Sequence, residues 1–257
     1  MAALLDLAGK KGLVLGIANE QSIAYGCANI FHQAGAELAI SYATEKAAPY
    51  VRPLAEQLKA SILMPCDVRD DAQMDALFKA IKDEWGCLDF LLHSIAYAPK
   101  ADLQGRVTDC SKDGFFEAMD ISCHSFIRLA KRAEPLMIKG GSLLTVSYIG
   151  SQEVVKNYGL MGPVKAALES TTRYLAAELG EKNIRVNVVS PSAIKTRAGS
   201  GIADFDGLLE STAVKMPLHR MIDLDDIGHM AAFLVSDLSK NITGGVHMVD
   251  GGYEVID

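Results

Sequence analysis

Two tyrosines and a lysine in the second half of the chain, Tyr148, Tyr158 and Lys165, have the side chains needed for acid catalysis beside a fixed cation. A phenol with an ordinary pKa near about 10 keeps its proton at neutral pH yet donates strongly to an oxyanion, and a nearby ammonium favours that donation. Lys165 follows Tyr158 by seven positions. If the intervening chain is helical, about 100° per residue returns the lysine to within roughly 20° of the tyrosine, about 10.5 Å along the axis. Both would then face one cleft, where the lysine could also grip a nucleotide ribose. The other reading is an exposed lysine and a core tyrosine with a satisfied hydroxyl, and the spacing by itself leaves both open.

Upstream, Gly16-Ile-Ala-Asn-Glu-Gln-Ser22-Ile23-Ala24 joins a strand pattern to a helix pattern. Gly16 can take backbone angles that a side chain forbids. Ser22 and Ile23 can offer hydroxyl and N–H groups at the helix start, where a pyrophosphate is favoured. The turn is not GxGxxG, and an ordinary strand-to-helix connection with a serine cap is its alternative. Asp67, after the third strand, could accept a hydrogen bond from an adenine amino group. Ser94-Ile95-Ala96 ends the fourth strand with a small residue where a ribose or nicotinamide must pass close to backbone. Their coincidence at successive strand ends favours a ligand across that edge and a hydride-transfer chemistry.

The elements that must hold these groups alternate along the whole chain. Strands are predicted at Gly12–Ile17, Glu37–Tyr42, Ile62–Cys66, Leu88–Ser94, Ser142–Ser147, Ile184–Ser190 and Val246–Val249. Helices are predicted at Ser22–Ala34, near 45–59 and 70–84, at Phe115–Ile138 as one long helix, around Val164–Leu179 and at Leu224–Leu234. The result is a Rossmann-type doubly wound parallel sheet of about seven strands in a single domain over 1–257. The segment 191–217 has only weak periodicity and is expected to be a substrate-binding loop/helix segment, since long irregular segments in compact domains often serve as lids over binding sites.

Composition narrows the function classes. A net charge of -7 without a Lys/Arg run leaves nucleic acid binding without its electrostatic drive. No apolar run approaches membrane-spanning length, and the N-terminal basic residues follow a short apolar stretch, the reverse of a signal peptide, so a soluble cytoplasmic protein is expected. Five scattered cysteines without a CxxC fit reduced thiols that fill the core. The histidines are dispersed and no HExxH occurs, so no metal is expected.

The chain resembles the short-chain dehydrogenase/reductase superfamily, and within it the bacterial NADH-dependent enoyl-[acyl-carrier-protein] reductases. The resemblance runs through Gly16-x5-Ser22-Ile-Ala24, His93-Ser94-Ile-Ala-Tyr-Ala98, Asp120-Ile-Ser122, Ser147-Tyr148, Asn157-Tyr158-x6-Lys165-Ala-Ala-Leu-Glu169, Arg185-Val-Asn187, Ser200-Gly-Ile202 and Val249-Asp-Gly-Gly252. Typical short-chain dehydrogenases carry Tyr-x3-Lys, whereas Gly162 stands four after Tyr158 here, and their partner serine is replaced by Thr145. The resemblance implies that Tyr158 hydrogen-bonds the thioester carbonyl of a trans-2-enoyl substrate, Lys165 holds the nicotinamide ribose and Tyr148 lines the acyl pocket. It further implies that Ser22 and Ile23 meet the pyrophosphate, Asp67 and Val68 the adenine, Ile95 and Ala96 the ribose region, and Ile194 and Thr196 the carboxamide and phosphate. It also implies a homotetramer, packed through the long helices and the C-terminal strand.

Hydride delivered to the β-carbon of a conjugated thioester pushes charge onto the carbonyl oxygen, and donors must stabilise the resulting enolate. That oxygen lies two bonds farther from the hydride acceptor than in a ketone, which suits an acid set one extra turn from the lysine. The chain departs from the family at three places. Pro191-Ser192-Ala193 replaces the usual Gly-Pro before Ile194. Ala203, Asp206 and Gly207 stand where basic residues often greet the acidic carrier protein, so Lys195, Arg197 or Lys215 would serve, or coenzyme A would carry the acyl group. Tyr42-Ala-Thr-Glu45-Lys46 lacks an arginine pair for a 2′-phosphate, and Glu45 would discourage one, which favours NADH over NADPH. Reduction of a ketone by the same fold, or a non-catalytic nucleotide-sensing role, are the rival readings.

Overall fold

The central strands of the sheet are buried on both faces, because helices cover both. A computed structural model describes residues 5–196 and 199–256, with Ser200 by its backbone alone. The Met1–Leu4 start of the N-terminal stretch and the candidate carrier contact Arg197 lie outside the described residues.

The chain runs β1 (Lys11–Leu15), α1 (Ile23–Gln33), β2 (Glu37–Tyr42), α2 (Ala48–Gln57), β3 (Ile62–Pro65), α3 (Asp71–Trp85), β4 (Phe90–His93) and the short α4 (Lys100–Leu103). It continues through α5 (Lys112–Met119), α6 (Ser125–Ala133), β5 (Gly141–Val146), α7 (Met161–Leu179), β6 (Ile184–Pro191), α8 (Phe205–Lys215), α9 (Leu224–Val235) and β7 (Val246–Val249). The seven strands are ordered β3-β2-β1-β4-β5-β6-β7, and each pairing is parallel. The order reverses between β1 and β4, which is where open sheets of this kind leave a crevice at their carboxyl edge.

Alternation along each strand divides the core. Val14, Ile40, Phe90 and Leu92 pack with α1, α2 and α9, whereas Leu13, Leu15, Leu91 and Leu143 pack with α3, α6 and α7. Burying each such side chain stabilises the fold by about 1.5–3 kcal/mol. Phe90 meets Phe31 edge to face at 5.0 Å, and it has room because position 12 is glycine, where a Cβ would lie 2.0 Å from the Phe90 ring. Capping follows the sequence: Asp70 accepts from the N–H groups of Ala72 and Gln73, Gly86 ends α3 at φ 70°, and Asp223 and Asp226 form a capping box on α9.

Two expectations need correction. The long helix predicted over Phe115–Ile138 is broken, with a π-turn at Asp120–His124 between α5 and α6 and a 3₁₀ turn at Glu134–Leu136. Within the break the Ser125 hydroxyl bonds the Ile121 carbonyl at 2.6 Å and Ser122 is drawn off to the backbone of Tyr97, while Pro135 has no N–H with which to continue the ladder. Tyr158 does not share a helix with Lys165. It sits in the turn before α7, between Asn157 at φ 63° and Gly159 at φ 53°, both left-handed. The loop/helix segment expected at 191–217 carries one helix, α8.

Candidate active site

A cleft of about 820 Å³ opens along the carboxyl edge of the sheet. Every residue singled out from the sequence for cofactor or catalysis lies on its wall: Gly16, Ser22, Ile23, Asp67, Val68, Ser94, Ile95, Ala96, Tyr148, Tyr158, Lys165, Ile194 and Thr196.

At one end, Gly16 has φ 109°, and a Cβ there would lie 2.0 Å from the carbonyl oxygen of Ser94. The turn therefore lies flat on the end of β4, and only glycine permits it. Ser22 closes this turn, its hydroxyl accepting from the N–H groups of Ala18 at 3.0 Å and Asn19 at 3.1 Å. The hydroxyl thus shapes the loop, and the first turn of α1, with its unsatisfied N–H groups, follows directly.

Two readings at the adenosine end change. The Asp67 carboxylate is clasped by Arg69, with Nη2 at 2.7 Å and Nε at 3.0 Å, which lowers its pKa. Arg69, which the sequence reading missed, also lines the cleft. Glu45 accepts from the Tyr42 hydroxyl at 3.2 Å, and Arg52 donates to the same hydroxyl at 3.1 Å, so the acid is engaged beside the strand tip while Ala43, Thr44 and Ala47 form the wall.

At the other end, Tyr148 follows β5, and its ring meets that of Tyr158 at 4.8 Å and 63°. Tyr158 is 8% exposed, and burial, with Tyr148 and Glu169 nearby, raises its pKa and holds the proton on oxygen. Burial likewise raises the Tyr148 phenol. Among the described residues the Tyr158 hydroxyl donates to no protein acceptor, although it stands on the cleft wall. Lys165, on the first turns of α7, is 5% exposed and donates to the Val146 carbonyl at 2.7 Å. Burial brings its pKa down to about 8, against the opposing pull of Cys123 and Glu169.

Behind the wall, Thr145 turns away from the cleft. Its hydroxyl lies 2.8 Å from Nδ1 of His93, whose Nε2 lies 2.9 Å from the Ser125 hydroxyl. The Thr145 hydroxyl also donates to the His93 carbonyl at 3.1 Å, and Ser125 gives its proton to the Ile121 carbonyl at 2.6 Å, so both hydroxyls are held behind the wall. Full burial lowers the His93 pKa to about 3.

The far wall comes from the 191–217 segment. Phe205 and Leu208 of α8 line the cleft. Gln104 donates to the Gly201 carbonyl and Asn157 to that of Ala203, each at 2.9 Å, which ties this wall to α4 and to the turn carrying Tyr158. Lys195 is exposed, and Lys215 lies 4.7 Å from the Tyr253 ring centre. Cys27, Cys66 and Cys123 fill the core as expected, but Cys87 and Cys110 are half-buried. No group of three or more potential metal ligands occurs among the described residues, and no helix is long and apolar enough to cross a membrane.

The glycine turn, the helix start and the buried ammonium fit a dinucleotide with one reactive end beside Tyr158. The model for "Enoyl-(Acyl carrier protein) reductase" matches residues 16–254. The chain is 48% identical to the NADH-dependent enoyl-[acyl-carrier-protein] reductase FabI of Synechocystis sp., over 98% of this chain and 99% of that one. A reductase of this kind from Anaplasma phagocytophilum, solved with NAD, superposes with TM-score 0.94 at 45% identity over 97% of this chain and 95% of its own. One from Bacillus cereus, solved with NADP+ and indole naphthyridinone, gives 0.95 at 42% identity over 98% of each. This chain belongs to the enoyl-(acyl carrier protein) reductase family.

Proposed function

We propose that the protein reduces the 2,3 double bond of trans-2-enoyl thioesters in type II fatty acid synthesis, with NADH as reductant. The observation that carries this reading is the Tyr158 hydroxyl, a donor without a protein acceptor among the described residues, on the same cleft wall as the Lys165 ammonium. When bound, the reduced nicotinamide supplies a hydride to the β-carbon. Tyr158 donates to the thioester oxygen, where negative charge gathers, and a donor so placed in a site of low dielectric favours the enolate over the ground state. Burial holds its proton in place until the oxygen needs it. Lys165 grips the ribose hydroxyls and fixes the ring against the substrate, Ser22 and Ile23 shape the pyrophosphate seat, and Asp67 and Val68 border the adenine. Ser94, Ile95 and Ala96 floor the ribose region, Ile194 and Thr196 meet the carboxamide and phosphate, and Tyr148 borders the acyl pocket.

Thr145 favours an olefin over a ketone as substrate, because its hydroxyl is held at His93 and does not reach the cleft to assist Tyr158. The 191–217 segment forms the acyl side of the site, with Lys195, exposed between the lining residues Ile194 and Thr196, and Lys215 at the end of α8 to meet an acidic carrier protein. Ile127 on α6 and Tyr174 on α7 leave apolar surface exposed, which supports packing into a homotetramer. The protein works in the cytoplasm.

The test follows NADH or NADPH absorbance with crotonyl thioesters of coenzyme A and of carrier protein in parallel. Turnover of the carrier-protein thioester with NADH is expected. Reduction of ketones alone would make the protein a carbonyl reductase, and no turnover with any enoyl thioester would leave a nucleotide sensor.

A further inference from the structure

Glu169 follows Lys165 by one helical turn on the buried face of α7 and is 5% exposed, yet it does not line the cleft. A buried carboxylate is costly unless hydrogen bonds satisfy it. Here Oε1 accepts from the hydroxyls of Ser147 at 2.6 Å and Ser151 at 2.5 Å, and Oε2 lies 3.5 Å from Nε2 of Gln152. All three donors belong to the link between β5 and α7, and they flank Tyr148 and Gly150.

That link forms the back wall for both phenols. A Cβ on Gly150 would lie 2.4 Å from Cδ1 of Tyr158 and 3.3 Å from Cδ1 of Tyr148, so its bare backbone is pressed against both rings. The 3₁₀ turn Ile149–Ser151 also rests on the start of α7, where a Cβ on Gly162 would come within 2.9 Å of the Gly150 carbonyl oxygen. Holding residues 147–152 therefore sets where the two rings meet, and their sole carboxylate anchor among the described residues is Glu169.

We propose that Glu169 is a positioning residue that anchors the 147–152 link and thereby aims Tyr158, a role that rests on Tyr158 being the donor to the thioester oxygen. A misplacement of about 1 Å can cost about 100-fold in rate, so the anchor acts on turnover more than on cofactor binding.

The experiment compares E169A, E169Q and the double variant S147A/S151A for kcat on a crotonyl thioester, for NADH dissociation constant by fluorescence, and for amide hydrogen exchange. Expected for E169A are a kcat lower by about 10- to 100-fold, a dissociation constant within about 3-fold of wild type, and faster exchange over 148–152. Glutamine keeps an acceptor for the serines, so E169Q should recover kcat to within about 3-fold. The double variant should match E169A, and combining the two should cost little more, since they break one network. The double variant carries the test if E169A does not fold. The proposal is overturned if the folded variant keeps kcat within about 2-fold of wild type, or if E169Q is as slow as E169A. Wild-type turnover in the same assay tests the reading of Tyr158 separately, and the exchange of 148–152 reports the anchor whether or not the thioester is the substrate.

Discussion

The ammonium of Lys165 rests 2.7 Å from the carbonyl oxygen of Val146, the last residue of β5, so the cation proposed to grip a ribose is held by the sheet itself. Burial leaves this lysine with a pKa of about 8. NADH affinity is expected to be level below about pH 7 and to weaken as pH rises through about 8, when the donor loses its proton. K165M should bind NADH weakly at every pH. The sign of the stability effect is opposite: between about 8 and the unfolded value near about 10.4, the unfolded chain holds more protons, so this group makes the folded protein more stable as pH rises. Fluorescence titration and urea unfolding across pH measure the two effects.

Removing the Tyr158 hydroxyl should strike the chemical step. Y158F is expected to lower kcat about 100- to 1,000-fold, the usual loss for a single oxyanion donor, with NADH binding little changed. Full turnover by this variant on an enoyl thioester would remove Tyr158 from the reaction.

Two glycines should fail differently when given a methyl group. At Gly16 the clash is with the Ser94 backbone, and the φ of 109° is itself strained for alanine, so G16A should lose about 1–3 kcal/mol of stability by urea unfolding and bind NADH weakly. At Gly150 the clash is with the Tyr158 ring, so G150A should lower kcat while leaving NADH affinity near wild type.

His93 should contribute to acid sensitivity. Its pKa of about 3 in the fold lies below the unfolded value near about 6.5, so the unfolded chain takes up the proton first and stability falls as pH drops from about 6.5 toward about 3. H93Q should show a shallower decline over that range in urea midpoints. Neutral through the working range, His93 should add no limb to the pH profile of turnover.

Charge at the cleft mouth should matter only for a protein-borne substrate. K195E is expected to raise KM for a carrier-protein thioester by about 3- to 10-fold, more at low salt, and to leave KM for the coenzyme A thioester within about 2-fold. Equal effects on both would place the carrier elsewhere.

The sheet was readable because its signal is local: Glu37–Tyr42 and Val246–Val249 match their strands residue for residue, as short apolar runs bounded by turns should. The residues chosen for the cleft were readable because chain direction places every strand end on one edge. The break at Pro135 was visible in the sequence, but the π-turn depends on Ser122 reaching Tyr97, a contact 25 residues away. Arg69 escaped although its partner Asp67 is two residues away, because only the turn geometry folds its side chain back, and the Glu169 network escaped because its partners lie about 20 residues upstream. Glu169 stands at the end of the motif after Lys165, and its helical phase with Lys165 was legible, but its hydrogen-bond partners were not. Tyr158 was misplaced onto the helix although Asn157 and Gly159, residues tolerant of left-handed backbone, flank it.

The phenol and the ammonium thus have independent mounts, one on a bent turn and the other on a rigid rod. Small insertions or deletions in that turn could re-aim the Tyr158 hydroxyl along the cleft without disturbing the Gly16 turn at its other end. One scaffold could in this way be retargeted between carbon–oxygen and carbon–carbon double bonds by remodelling a few residues of loop.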